Sequence, residues 1–339
     1  MNFGGPMPRR SIQCLSELRT HCARWLEPLE NLAMSILYFF HPACRLHETS
    51  PGHPENGARL DAINDQLIAS GVDPWLMSRE APAVTREQLE RVHATAYLDA
   101  LENAAPAESI CYLDPDTVIG PHSIEAARHA AGAVVAAVDA VMTGDPRRAF
   151  CAVRPPGHHA TRTRAMGFCL YNNVAVGTAH ALAEYGLERV VVVDFDVHHG
   201  NGTEDIFHDE ARVFMASSFE KDLWVESSPQ KAGDNMLWLE FAPGTQSAAY
   251  RERFEKELLP AVDAFRPQLL MISAGFDAHH DDEISHLYLT SEDYGWLTQK
   301  LTEIADPHCE GRLVSVLEGG YNLAALGRSV AAHLNALLD

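Results

Sequence analysis

Two aspartates and two histidines follow a run of valines in VVVDFDVHHGNGT, residues 191–203. Side chains two residues apart in an extended segment face the same side, so Asp194, Asp196 and His198 are expected to project together. Burying such ionisable groups without partners is costly. Two carboxylates and an imidazole suit a divalent ion of the zinc type, or iron or manganese. Alone, this pattern fits a hydrogen-bonded structural role equally well.

A further aspartate lies in SAGFDAHHDDE, residues 273–283. Asp277 follows an apolar strand pattern and a glycine, which places it near the same rim. Three protein ligands with an open fourth position are typical of catalytic zinc. His279 and His280 are rival ligands, but they lie further into a polar loop and are predicted to be solvated surface residues.

Two other motifs carry candidate catalytic groups. RPPGHHA, residues 154–160, presents His158 and His159 after a stiff turn, and histidine is suited to proton transfer near neutral pH. In LEGGYNL, residues 317–323, glycines allow close approach of a ligand, so Tyr321 is a candidate donor to a developing oxyanion. Taken singly, each motif is more often structural.

Short apolar runs alternate with helical patterns, which predicts a parallel sheet covered on both faces in a single α/β domain. Ligands of open α/β sheets bind beyond the carboxyl ends of the strands, and the four motifs lie there. The predicted strands are 36–40, 148–153, 189–195, 212–217, 268–274 and 312–318. The predicted helices are 121–144, 172–185, 246–265, 291–304 and 322–337.

Composition narrows the function classes. The chain has 339 residues and a formal net charge of −21, which argues against a nucleic-acid-binding surface. The charge fits a cationic partner, but taken by itself it is better explained by solubility alone. Seven scattered cysteines without C-x-x-C predict reduced thiols in a cytoplasmic protein. No apolar run approaches the ~18–20 residues of a membrane span. Residues 1–33 are predicted to be a helical extension ahead of a catalytic domain at 34–339, and homo-oligomerisation is left open.

The ordered motifs together resemble the histone deacetylase family, closest to its class II and bacterial amidohydrolase branch. The resemblance covers about residues 35–339 and implies the arginase–deacetylase α/β fold, in agreement with the parallel sheet. The motifs that carry it are GHPENGARL, LDPDT, RPPGHHA, GFCLYNNVAV, DFDVHHGNGT, AGFDAHHDDE and LEGGYNL.

The resemblance implies a role for each motif residue. His159 is the general base and later the acid that protonates the leaving amine. His158 is mainly electrostatic and is buttressed by Asp194, while Tyr321 binds and polarises the acetyl carbonyl. The implied zinc ligands are Asp196, His198 and Asp277. The implied ligands of a structural potassium are Asp194, Asp196, the His198 carbonyl and Ser217.

The implied substrate contacts lie in a narrow tunnel that takes an acyl-lysine chain. Gly167 and Phe168 line it, and Asp116 matches the rim aspartate that holds the substrate backbone. The stretch SSFEKDLWVESSPQ departs from the family pattern, so the second wall is either Leu223 or Trp224. At position 201 this chain has asparagine, as class II-like members do. Class I members have aspartate there.

Two other functions are weighed against a zinc-dependent deacetylase. An arginase-like ureohydrolase needs D-x-H-x-D, but Gly200 stands where the last carboxylate is required. A non-catalytic acetyl-amine-binding module predicts substitution among His159, Asp277 and Tyr321, and all three are present. Hydrolysis is therefore favoured.

The substrate is less constrained than the reaction. Acetyl-lysine side chains are the preferred class, with acetylpolyamines and other small amides as alternatives. Polyamine-preferring relatives often carry a glutamate seven residues after the last zinc aspartate. That position is Ile284 here, with Glu283 beside it. The identity of the native metal, zinc or iron, is left open.

Overall fold

A sheet of eight parallel strands forms the centre of this computed structural model, which describes residues 1–2, 35–144, 146–229 and 233–338. The strands of the described residues, in chain order, are β1 (Ile36–Phe40), β2 (Leu76–Glu80), β3 (Cys111–Tyr112), β4 (Val118–Ile119), β5 (Arg148–Cys151), β6 (Val190–Asp194), β7 (Val213–Glu220), β8 (Met236–Phe241), β9 (Leu269–Ala274) and β10 (Leu313–Leu317). The order in the sheet is β2-β1-β5-β10-β9-β6-β7-β8, while β3 and β4 form a separate antiparallel hairpin.

Helices connect most of the strands, and side-chain caps mark where several of them begin. Asn172 accepts a hydrogen bond from the Ala175 amide at the start of α5, and Thr290 with Asp293 forms a capping box at the start of α9. The helices are α1 (Ala58–Ser70), α2 (Arg86–Glu90), α3 (Thr95–Ala104), α4 (Ser123–Thr143), α5 (Asn173–Glu184), α6 (Asn201–Phe207), α7 (Ser247–Arg253), α8 (Leu259–Phe265), α9 (Ser291–Cys309) and α10 (Leu323–Leu338). A π-helical turn, Phe254–Leu258, joins α7 to α8.

Helices cover both faces of the sheet. Ser315 of β10 bonds to His333 of α10 at 2.9 Å, which places α10 on one face. Its strand neighbour Val314 pairs with Met271, whose methyl group lies close to Gly177 of α5. Successive strand residues point to opposite faces, so α10 and α5 lie on opposite sides. The central strands are consequently apolar and buried along their length.

The predicted parallel α/β architecture is confirmed, with differences at its margins. The sequence patterns do not predict the edge strands β2 and β8, whose side chains are mostly only partly buried or exposed. In β2 the last three residues are also polar. They also end the ninth helix at residue 304, whereas α9 continues through Pro307 to Cys309. Residues 3–34, over most of the predicted N-terminal extension, lie outside the described residues.

No helix in the described ranges is both long enough and apolar enough to cross a membrane. The cysteines that the structure describes are free thiols, namely Cys44, Cys111, Cys151, Cys169 and Cys309.

Candidate active site

Four adjacent central strands, β5, β10, β9 and β6, end at one edge of the sheet. Neighbouring strands lie about 4.8 Å apart, so the segments that follow them meet in a small volume. These segments carry the residues that the sequence predicts for the site: His158 and His159 after β5, Tyr321 after β10, Asp277 after β9, and Asp196 and His198 after β6. The structure therefore brings the four motifs together.

Asp196, His198 and Asp277 form the candidate metal centre. Their ligand atoms lie within 4.8 Å of one another, and His198 Nδ1 is 3.0 Å from Asp196 Oδ1. Asp277 Oδ2 is buried without a hydrogen-bond partner; His198 Nδ1 lies 3.4 Å from it but is not aligned for a hydrogen bond. An unpaired buried carboxylate oxygen is costly. Because the donor set is also one that zinc takes, these residues fit a divalent ion.

Backbone amides from neighbouring strand ends orient the two carboxylates. The Gly319 amide donates to Asp196 Oδ2 at 2.8 Å, and the Val197 amide donates to Asp277 Oδ1 at 3.0 Å. A β-carbon on Gly319 would lie 2.1 Å from Asp277 Oδ2, closer than any side chain can approach. Glycine is therefore required at this position for the tyrosine loop to pass over the metal centre.

His158 and His159 have different partners although their rings lie 3.9 Å apart. His158 Nδ1 is 2.9 Å from Asp194 Oδ2. Burial opposes a charge on this ring, but the carboxylates of Asp194 and Asp196 outweigh burial and raise the pKa of His158 to about 10. His158 is consequently an imidazolium at neutral pH.

His159 is held as a neutral ring. Its Nδ1 lies 2.7 Å from Asn201 Oδ1, an acceptor, so Nδ1 carries the proton and Nε2 keeps its lone pair. Burial, followed by the charges of His158 and His198, lowers the pKa of His159 well below its ordinary value. Gly167, at φ +56°, packs on this ring, because a β-carbon there would lie 2.5 Å from His159 Cδ2.

Glu318, at the end of β10, is a site residue that the sequence reasoning missed. Its Oε2 accepts hydrogen bonds from the Gly157 amide at 2.6 Å and the His158 amide at 3.2 Å. The carboxylate thus fixes the turn that carries both histidines. Burial raises the pKa of Glu318 to about 7, against the lowering effect of the His158 charge and the two amides. The available signal was an acid at the end of an otherwise apolar strand.

The Tyr321 loop is held from two sides. The amide of Tyr321 donates to Asp282 Oδ2 at 2.7 Å, and the Arg59 guanidinium lies 5.0 Å from the centre of the tyrosine ring. Arg59 Nε also donates to the Gly320 carbonyl at 2.7 Å. Burial, together with the nearby Asp277 carboxylate, raises the pKa of Tyr321 well above its ordinary value. The hydroxyl therefore stays protonated and remains a donor.

A buried ion pair joins two of the motifs beneath the site. Arg154 Nη2 donates to Glu55 Oε2 at 2.7 Å, and Arg59 Nη1 donates to Glu55 Oε1 at 3.2 Å. Burial would raise the pKa of Glu55, but the charge and hydrogen bond of Arg154, together with the charges of His47 and Arg59, outweigh it and lower the pKa to about 2. The carboxylate is thus ionised and anchors the GHPENGARL segment to the histidine loop.

A cavity of about 120 Å³, the tunnel, opens beside these groups. Its polar lining includes His158, His159, His198, Tyr321 and Asp116, and its apolar lining includes Phe168, Trp224 and Ile284. The Trp224 ring meets the His159 ring edge to face at 4.8 Å. Of the two residues left open for the second wall, Trp224 borders the tunnel, whereas Leu223 packs against the hydrophobic core.

The prediction that His279 is a solvated surface residue is wrong. His279 is 2% exposed, and its Nδ1 accepts a hydrogen bond from the Asp281 amide at 3.1 Å. His280 is exposed, as predicted. His279, His280 and Asp281 lie close enough to share an ion, but Arg328 already pairs with Asp281 at 2.8 Å. That positive charge disfavours a cation, so this cluster is an ion-paired loop.

Asp194 and Ser217, the side chains named for the potassium site, are register partners on β6 and β7. The Ser217 hydroxyl lies 2.9 Å from His199 Nδ1, and the Asp194 carboxylate is shared between His158 and the Asp196 amide. The potassium site stays a prediction.

Comparisons with known proteins give one consistent family. A family model described as the histone deacetylase domain matches residues 53–337. An uncharacterized protein of Synechocystis is 39% identical over 298 residues, covering 86% of this chain and 96% of that protein. The histone deacetylase-like amidohydrolase of Pseudomonas aeruginosa is 35% identical over 311 residues, covering 85% of this chain and 82% of that protein.

A solved structure gives the same result for the fold. The crystal structure of the HDA15 HD domain matches with a TM-score of 0.82 at 33% identity, covering 90% of this chain and 88% of that one. The predicted family and the arginase–deacetylase fold are thereby confirmed. The chain belongs to the histone deacetylase family of amide hydrolases.

Proposed function

We propose that this protein is a zinc-dependent deacetylase that hydrolyses the amide of acetylated amines, with acetyl-lysine side chains as the preferred class. The observation that carries the proposal is that His198, His159 and Tyr321 line one narrow tunnel. His198 belongs to the candidate metal centre, His159 supplies a neutral imidazole and Tyr321 supplies a protonated hydroxyl. Amide hydrolysis needs these three functions within reach of one carbonyl group.

The reaction adds water to the acetyl carbonyl carbon, breaks the C–N bond and releases acetate and a free amine. When held by Asp196, His198 and Asp277, zinc supplies a Lewis acid that polarises the carbonyl group and makes water a stronger nucleophile. His159 Nε2 takes a proton from the attacking water. It then returns that proton to the leaving nitrogen, so one imidazole serves as base and acid in turn.

Two other side chains stabilise the negative charge that develops on the carbonyl oxygen. Tyr321 donates its hydroxyl hydrogen to that oxygen. His158, charged because Asp194 lies behind it, contributes a fixed positive charge next to His159. This charge also discourages His159 from keeping the proton, which favours its transfer to the leaving amine.

The tunnel lining supports acetyl-lysine as substrate. Phe168, Trp224 and Ile284 give it an apolar surface that suits the four-methylene chain of lysine. Asp116 lies in the same lining, where its carboxylate would accept hydrogen bonds from backbone amides of a peptide. The position where polyamine-preferring relatives often carry a glutamate is therefore occupied by an apolar residue of the tunnel lining, Ile284.

Acetylpolyamines remain the second candidate class, and one observation favours them. Glu283, Asp281 and Asp282 line a cavity of about 260 Å³ that shares Ile284 and Tyr321 with the tunnel. A distal ammonium group of a polyamine would be attracted to the exposed Glu283 carboxylate.

Acetate release by chelated and by zinc-reconstituted protein tests the proposal. An acetyl-lysine peptide and N-acetylputrescine are compared side by side. We expect turnover only after zinc is restored, with a higher kcat/KM for the peptide. A preference for N-acetylputrescine would overturn the substrate ranking alone, whereas no acetate from either substrate would contradict the proposed function.

A further inference from the structure

His53 stands between the tunnel and a wider cavity of about 770 Å³, which we name the cleft. His53 lines the cleft, while its ring meets the ring of Phe168, a tunnel residue, edge to face with centroids 4.6 Å apart. Phe168 in turn meets the Tyr321 ring edge to face at 5.9 Å. His53 therefore supports the Phe168 side of the tunnel from behind and does not itself line it.

The two ring nitrogens of His53 join separate segments of the chain. Nε2 lies 3.3 Å from the Asp116 carbonyl oxygen, and Nδ1 lies 3.1 Å from both the amide and the carbonyl of Glu55. A neutral ring protonated on Nε2 donates to Asp116 and accepts from the Glu55 amide. An imidazolium donates to both carbonyl oxygens. The bond to Asp116 is thus available in either protonation state.

The two ends of this connection differ in how they are held. Glu55 is fully buried and is held by the Arg154 guanidinium. Asp116 lies in the short loop between β3 and β4, where its amide donates to Asp114 Oδ1 at 3.1 Å. Within the described ranges, His53 is the one side chain outside this loop that hydrogen-bonds to Asp116.

We propose that His53 is a positioning residue that holds Asp116 and Phe168 at the tunnel mouth and thereby favours acetyl-lysine within a peptide over small acetylated amines. This inference rests on the proposed function. A peptide presents backbone amides to the Asp116 carboxylate, so its binding depends on where that carboxylate lies. A small acetylamine has no such groups and uses the tunnel alone.

Three variants of the zinc-loaded full chain test this role. His53→Ala removes the ring, and His53→Gln keeps an N–H donor at a similar distance from the backbone. Ile110→Ala is the matched control, because Ile110 lines the same cleft but does not line the tunnel. The readouts are kcat and KM for an acetyl-lysine peptide and for N-acetylputrescine. Calorimetric binding of the peptide is also measured in the Tyr321→Phe background, where turnover is expected to be much slower.

We expect His53→Ala to raise the KM for the peptide by about tenfold, the scale of one lost hydrogen bond with its packing, at nearly unchanged kcat. The Kd in the Tyr321→Phe background should rise by the same factor. His53→Gln should recover most of the loss, and N-acetylputrescine should be little affected in any variant.

Equal losses on both substrates, or an unchanged peptide Kd, would overturn the inference. Failure of the wild-type protein to turn over either substrate refutes the proposed function instead, and the calorimetric comparison still decides the role of His53. If the peptide binds to Tyr321→Phe neither with nor without the His53 substitution, both the proposed peptide substrate and the role of His53 are refuted.

Discussion

His159 Nδ1 lies 2.7 Å from the amide oxygen of Asn201, a neutral acceptor that orients the ring without adding a charge. A carboxylate at the same place would stabilise the protonated ring and raise the pKa of His159. Asparagine therefore keeps the proposed base neutral beside a charged His158.

Exchanging the neutral acceptor for an acid should move the pH profile. In Asn201→Asp, the new carboxylate raises the pKa of His159, so the acidic limb of kcat/KM should shift to higher pH. Asn64→Asp adds the same charge at a residue that bonds to Tyr38 and should leave the limb in place. An unshifted limb in Asn201→Asp would contradict the assignment of His159 as the base.

Asp116 predicts a pH dependence of peptide binding. Burial, followed by the hydrogen bond and charge of Asp114, raises the pKa of Asp116 to about 6. Below that pH the carboxyl group is protonated and loses its strength as an acceptor, so the peptide KM should rise as pH falls through about 6. Asp114→Asn lowers the pKa of Asp116 and should shift this rise to lower pH.

The control for this prediction is the small substrate. N-acetylputrescine has no backbone amide for Asp116, so its KM should not follow the same curve between pH 5 and 8, a range of about one to two units around that pKa. Parallel curves for both substrates would mean that Asp116 does not contact the substrate backbone.

Glu318 predicts a stability effect together with a catalytic one. Glu318→Ala leaves the buried amides of Gly157 and His158 without an acceptor, at a cost of about 1–3 kcal/mol each. The free energy of unfolding, measured in urea, should fall accordingly, and kcat should fall because the histidine turn is no longer fixed. Glu318→Gln keeps an acceptor oxygen and should recover much of both, whereas equal damage in the two variants would refute the hydrogen-bonding role.

The burial of His333 should make the free energy of unfolding depend on pH. The ring is buried between Thr298 and Ser315, and burial lowers its pKa to about 3. Between that value and the ordinary pKa of about 6.5, the unfolded chain binds a proton that the folded chain does not. The stabilisation is therefore complete above pH ~6.5 and is lost as pH falls, by up to about 1.4 kcal/mol per pH unit.

Removing the histidine should flatten this slope. Urea unfolding at several pH values is expected to show that His333→Gln is less stable than wild type near neutral pH but loses less stability on acidification. An identical slope in the two proteins would show that His333 does not contribute to it.

Zinc uptake should depend on Asp277 and not on the second histidine cluster. Zinc that binds only the folded protein raises the Tm, and we expect this rise in wild type but not in Asp277→Ala. Asp281→Asn is the matched control, because Asp281 lies four residues away and pairs with Arg328. If the rise in Tm is lost in Asp281→Asn but retained in Asp277→Ala, zinc binds the cluster that contains Asp281 and not the proposed metal centre.

The chemistry of the site is largely readable from the sequence because it is local. Asp194, Asp196 and His198 alternate along one extended segment that follows an apolar strand, so their shared orientation follows from strand geometry. The parallel sheet then predicts that Asp277 and Tyr321 meet them at the same edge. The resemblance adds the roles, which local patterns alone leave open.

The supporting residues are not readable in the same way, because their partners are distant in the chain. Glu318 bonds to Gly157 across 161 positions, and no local pattern pairs an acid with a turn so far away. The contact between His53 and Asp116 spans 63 positions and is not predictable for the same reason. The prediction for His279 was wrong for a related reason. A polar loop sequence does not reveal that tertiary packing covers one of its two histidines.

The most direct test of the proposed hydrolysis compares two variants that each remove one tyrosine hydroxyl. Tyr294→Phe is the control, because that hydroxyl has no hydrogen-bond partner among the described residues and does not line the tunnel. With zinc-loaded protein and an acetyl-lysine peptide, Tyr321→Phe should lower kcat by about 10²–10³, the usual cost of losing one oxyanion donor. Tyr294→Phe should retain wild-type kcat. Equal kcat in Tyr321→Phe and wild type would contradict the claim that this site hydrolyses the amide.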